Sequence, residues 1–175
     1  MADHEHVMNQ RTGATRALVS AVNDTGLVQT LDAQSHDGVV RGGAEVHQPF
    51  GFNSCAPGQG AVTVFVANGG DPSDMLALPP SCPAARLGGL APGESVIYAA
   101  DGTRVHLKAG GIVEVLAATQ VVITAPQCTV AASSGITLTG AVTITGAVSI
   151  TGTLHVSGDV DVGGNVNAAG SINGH

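Results

Sequence analysis

With 175 residues, a formal charge of −7 and only four aromatic side chains (Phe50, Phe52, Phe65 and Tyr98), the chain has room for one ordinary domain and an appendage, and its apolar mass is aliphatic. Six Lys and Arg against 13 Asp and Glu, with neither Lys nor Arg in residues 109–175, provide no cationic footprint, so nucleic acid is not an expected partner. A large aromatic-anchored enzyme core is disfavoured by the same composition.

Residues 1–15 are polar and acidic and read as a flexible N-terminal arm, although their Asp3-His4-Glu5-His6 cluster superficially suits a metal. No apolar run approaches the about 18 residues of a membrane span, and the first residues lack the basic-then-apolar order of a signal peptide. From Arg16 to about Ala100 short apolar runs alternate with turn residues: Ala17-Leu18-Val19, Leu27 to Leu31, Val39-Val40, Ala61 to Ala67, Met75 to Leu78 and Val96 to Ala99. That spacing predicts a small antiparallel β-domain with meander connections. Asn23-Asp24-Thr25-Gly26 reads as a hairpin loop, and Asp101-Gly102 as a two-residue hairpin turn. Arg41-Gly42-Gly43 and Asn68-Gly69-Gly70-Asp71 lack the spacing of a phosphate-binding loop and read as plain turns. Cys55, Cys82 and Cys128 lie too far apart for a CxxC pair or a compact disulfide framework, which points to reduced thiols.

The strongest signal is a glycine register. Gly140, Gly146, Gly152, Gly158, Gly164 and Gly170 recur every six residues, a pattern that chance gives in about 6 of 100,000 registers at this glycine content. Within the hexads, apolar residues occupy the second and fourth places: Val142 and Ile144, Val148 and Ile150, Leu154 and Val156, Val160 and Val162, Val166 and Ala168. Period-two alternation puts these on one face, with Thr143, Ser149, His155, Asp161 and Asn167 on the other, and each glycine frees the backbone to turn a corner.

Two inward side chains cannot offset the entropy of fixing six backbones, so an isolated hexad needs neighbours to stack on. A left-handed β-helix within one chain would use about three hexads per coil, leaving residues 135–175 barely two coils, whereas three intertwined chains build a longer closed rod from the same residues. The expectation is a triple-stranded, trimeric β-helix with Val142, Ile144, Val148, Ile150, Leu154, Val156, Val160, Val162 and Val166 at its core. The inward pair shrinks to Val166 and Ala168 and the outward residues become Asp159, Asp161, Asn165 and Asn167, which suits a rod narrowing towards its C-terminal end.

Gln48-Pro49-Phe50-Gly51-Phe52, then Ala61 to Val66, Gly69-Gly70-Asp71, Arg86, Leu90-Ala91-Pro92-Gly93-Glu94, Tyr98, Gly102, Val105-His106-Leu107 and Gly111-Ile112-Val113, occur in an order that resembles the baseplate assembly protein V of Mu-like contractile-tailed phages, over roughly residues 11–126. The resemblance implies an all-β homotrimer: an OB-fold-like barrel (16–100) docking on the baseplate hub protein, a β neck (101–134) and a β-helical needle (135–175). It also implies a place at the tip of the virion's tail baseplate after assembly in the host cytoplasm, with the host outer membrane as mechanical target when the sheath contracts. Family members commonly hold iron through a His-x-His near the C-terminus. Here the stretch reads Ser171-Ile172-Asn173-Gly174-His175, which leaves His175, one per chain at the trimer axis, as the candidate ligand for an iron or zinc ion.

No catalytic residue is expected. The carboxylates are scattered, His36, His47 and His106 fall in separate settings, and no Ser, His and Asp form a recognisable motif. The alternatives are a hexapeptide-repeat trimeric acyltransferase, opposed by the short repeat region without cations for a coenzyme's phosphates, and the spike of a non-phage contractile secretion device.

Overall fold

The period-two runs of the first half become strands. A computed structural model describes residues 13–36, 38–71 and 73–172, and contacts divide the chain into two compact units, 1–124 and 125–175. Strands β1 (Ala14–Asn23), β2 (Thr30–Ser35), β3 (Val40–Val46), β4 (Val62–Ala67) and β5 (Met75–Ala77) close into a barrel in the order β1-β2-β3-β5-β4. The all-β expectation and the N-terminal barrel therefore stand, but simple meander connectivity does not. β1, β2 and β3 follow one another antiparallel, after which β4 returns to β1 and β5 enters parallel to β3 through Glu45↔Leu76 and Val46↔Ala77. Closure is geometrically simple because β1 is long: Ala17 and Leu18 pair with β2 on one side and with β4 on the other. Register shifts between Val19 and Ala21, and between Leu31 and Ala33, bend the strands round the barrel.

Alternate residues face inward. Phe65, Leu31, Val19 and Thr63 are fully buried, and Ala17, Ala33, Ala44, Ala61 and Ala77 fill the remaining core. So many alanines make the barrel narrow, and Phe65 is its one buried ring. Thr63 is the one polar member of that fully buried set, and its Oγ1 donates to the Leu78 carbonyl at 2.6 Å.

Three local expectations are corrected. Leu27 and Val28, read as the start of a strand, are exposed in the β1–β2 connection, because Asn23 Oδ1 accepts from both the backbone N–H and the hydroxyl of Thr25 and holds the turn open to Thr30. Arg41-Gly42-Gly43 is not a turn but the middle of β3, where Gly43 takes a φ of 69° and its N–H donates to Asp32 Oδ1 at 2.8 Å. The Asp101-Gly102 turn is a three-residue loop in which Ala99 exchanges hydrogen bonds with Thr103 and Gly102, and Gly102, at φ 90°, supplies the left-handed residue such a bulged hairpin needs.

That loop joins β6 (Ser95–Tyr98) to β7 (Arg104–Lys108), and β8 (Ile112–Leu116) completes a separate three-stranded antiparallel sheet. The boundary expected near residue 100 falls in the turn between its first two strands.

The expected β-helix is one that three chains would build together, and from 117 to 172 no strand or ladder is present in the single chain. What it keeps is the period. Extended segments are interrupted by bends at Ser134, Gly140, Gly146, Gly152, Gly158, Gly164 and Gly170, and Gly140, Gly146 and Gly152 sit at φ 118°, 132° and 135°. No backbone–backbone hydrogen bond joins one hexad to another among the described residues.

Candidate functional site

The β6–β8 sheet is inside out. Register places Ile97 opposite Val105 and Val105 opposite Val115, with Leu107 opposite Val113, so five apolar side chains share one face. In the single chain that face is open, its members between 40% and 65% exposed. The opposite face carries the better-covered polar residues: His106 lies between Val96 and Glu114, and Arg104 between Tyr98 and Leu116. A soluble sheet ordinarily hides its apolar face, and a contiguous bare one marks an interaction surface.

The polar face is tied together. Glu114 accepts from Arg104 at 2.8 and 3.1 Å through one oxygen and from Lys108 at 2.7 Å through the other, and these two cations hold its carboxyl below the usual carboxylate range. Glu94 accepts the backbone N–H groups of Ala109 and Ala91, both at 3.0 Å, which are the main reason its carboxyl is also lowered. His106 Nε2 approaches Glu94 Oε2 to 3.4 Å, yet the two are not aligned as a hydrogen bond and that buried nitrogen has no hydrogen-bond partner, so the amides dominate.

These carboxylates stabilise the sheet while ionised. A lowered folded-state pKa means that the contribution is complete above the ordinary carboxylate range and is lost as pH falls through the lowered values. Hydrogen-exchange protection in β6–β8, corrected for intrinsic rates, is expected to fall between about pH 6 and pH 3, and Glu94→Gln with Glu114→Gln flattens that dependence. Protection that rises on acidification contradicts the assignment.

The hexad residues assigned to a trimer core, Val142 to Val166, are 46–66% exposed in the single chain. Together with the β6–β8 face they form two series of unpartnered aliphatic side chains. Both are legible in the sequence as alternation, although the neck face was not singled out there; the signal was the run Ile97, Val105, Leu107, Val113, Val115.

The remaining candidates do not converge. His36, His47 and His155 are exposed, His106 belongs to the polar face, and His175 and the Asp3 to His6 cluster lie outside the described residues. Among the described residues no three His, Cys, Asp or Glu side chains are grouped to hold a metal, and no helix is long and apolar enough to cross a membrane. Cys55, Cys82 and Cys128 are free. Asn68–Gly70 is a short 3-10 turn, not a phosphate cradle.

Residues 16–82 match the family described as bacteriophage Mu Gp45, N-terminal. The match runs from β1 through β5 to the Val62↔Ser81 bridge that borders the barrel. No curated protein matches the chain.

Proposed function

From the match of its barrel to the bacteriophage Mu Gp45 family, the baseplate assembly protein V of Mu-like phages, we infer that this chain is a structural component of a phage tail baseplate and acts as the homotrimeric central spike that pierces the host outer membrane. The observation that carries the reading is the pairing of a bare apolar sheet face with a strict six-residue bend period whose apolar positions are also bare. Cyclic association answers both at once: three copies about one axis bring three neck faces together and let each extended hexad find its ladder partners in the neighbouring chains. A hexapeptide-repeat acyltransferase would instead stack coils within one chain, and no such ladder occurs among the described residues.

The action on this reading is mechanical. The barrel seats the trimer on the baseplate hub protein, and sheath contraction drives the needle along its axis into the membrane. The outward Thr143 and Ser149 give the shaft a solvated β-surface, and the smaller inward pair Val166 and Ala168 allows a narrower leading end. Stiffness, with no reacting group, is what the task requires. Immunogold labelling of intact tail particles with antibody against the full chain is expected to mark the baseplate tip. Label confined to the sheath or capsid overturns the reading.

A further inference from the structure

Two of the four aromatic residues take no part in any core. Phe50 is fully exposed and Phe52 63% exposed, both in the β3–β4 connection, while Leu27 in the β1–β2 connection is fully exposed as well. Exposed rings on a wandering loop would mean little, but this loop is braced from below. Phe52 donates its N–H to the Pro49 carbonyl at 3.1 Å, closing a turn through Gly51 at φ 85°. Gln48 grips Ser54 from both sides, its Oε1 accepting the Ser54 N–H at 2.9 Å and its Nε2 donating to the Ser54 carbonyl at 3.0 Å. The same Nε2 donates to Oε1 of the buried Gln29 at 2.9 Å, and Gln29 Nε2 donates to Asp24 Oδ1 at 2.9 Å. One amide network therefore fixes both connections as a single platform with its apolar tips outward.

The groove beside the platform is lined by Leu27, Val28, His47, Gln48 and Asn53, and it holds two carboxylates, Asp24 and Glu45, with no Lys or Arg. Over residues 14–85 two cations, Arg16 and Arg41, stand against six acids, Asp24, Asp32, Asp37, Glu45, Asp71 and Asp74. An anionic bilayer and a second copy of this acidic barrel would both meet like charge here.

We propose that the Pro49–Phe52 turn, with Leu27 beside it, is a preorganised aromatic anchor that docks into an apolar pocket rimmed by Lys or Arg on the baseplate hub protein. This rests on the baseplate reading above and adds the contact residues to it. Preorganisation matters because a ring already held in its bound geometry avoids the ordering cost of binding, and a buried aromatic of this kind dominates interface energetics. Asp24 and Glu45 supply the complementary rim.

The test titrates the full-length chain against the purified hub protein of the same particle, alongside the Phe50→Ala and Asp24→Lys/Glu45→Lys variants, with flotation on anionic and zwitterionic vesicles in parallel. Phe50→Ala is expected to weaken hub binding by about 30-fold or more with an unchanged solution mass, and the charge reversal to weaken it further at low salt than at high salt. Wild-type binding that Phe50→Ala leaves intact overturns the anchor while the spike reading stands; absence of wild-type binding overturns both. Phe50-dependent vesicle flotation, or a Phe50→Ala loss of self-association, assigns the turn to lipid or to a second copy and also overturns the proposal.

Discussion

Ile150→Asp is expected to abolish assembly of the full chain. At the fourth place of its hexad, Ile150 faces the axis of the proposed needle, so the substitution sets three carboxylates into one apolar cross-section. Each unpaired buried ion costs several kcal/mol, and three copies together exceed about 10 kcal/mol before their mutual repulsion is counted. Ile144→Asp acts in the same way one hexad earlier. Thr143→Asp, one position away and outward, is a surface change expected within about 0.5 kcal/mol. Trimer melting followed by circular dichroism at matched protein concentration separates the two classes. Equal melting of all three variants and the wild type would show that the hexads face the other way or do not pack. The contrast depends on facing alone, since Ile144 and Ile150 are as exposed in the single chain as their neighbours.

Phe65→Ala is expected to destabilise the barrel by about 3–5 kcal/mol, a large share of the roughly 5–15 kcal/mol that holds a domain of ordinary size. The reason is local. Phe65 is 1% exposed and the largest side chain of a core otherwise built from alanines and smaller aliphatic residues, so its truncation leaves a large cavity. Val66→Ala, next to it but facing outward, is expected to cost less than about 1 kcal/mol. Hydrogen exchange at β1 and β4 of the full-length protein reads this loss directly, because those strands pair through Thr15↔Phe65 and Ala17↔Thr63. Unchanged protection in Phe65→Ala would mean that the barrel core is organised differently.

Much of this molecule is written in simple periods. Alternation over Ala61 to Ala67 marks β4, with Thr63, Phe65 and Ala67 turned inward, and the glycine register marks where the bends fall from 140 to 170. Barrel closure was not legible, because the parallel contact of β5 with β3 joins three-residue and seven-residue strands separated by 28 residues of chain, and no local signal reports it. Gly42 and Gly43 misled for a related reason: glycine marks a change of backbone direction, and inside a strand that change is a bulge. Leu27 and Val28 misled because apolar character alone does not reveal whether a residue is covered by its own chain. Phe50 and Phe52 repeat that lesson. They carried the family resemblance as letters, while the feature that makes them a candidate contact, the Gln48–Gln29 brace beneath an exposed ring, exists only in three dimensions.

The face of β6–β8 occupies an intermediate position. Ile97, Val105, Leu107, Val113 and Val115 could be read as a half-buried strand set in any antiparallel sheet. Only the register gathers Arg104, Lys108, His106 and Glu114 on the opposite side and leaves these five on one face, where each is exposed. The neck and the hexads therefore make the same demand through different local geometry, and the central claim is that identical chains meet it.

Sedimentation equilibrium of the full-length protein at micromolar concentration tests that claim most directly. A chain of 17.2 kDa is expected to run as a single species of about three times that mass, with no folded monomer in exchange with it. A folded species that stays at 17.2 kDa across the concentration range would contradict the account, because the neck face and every hexad would then remain in water.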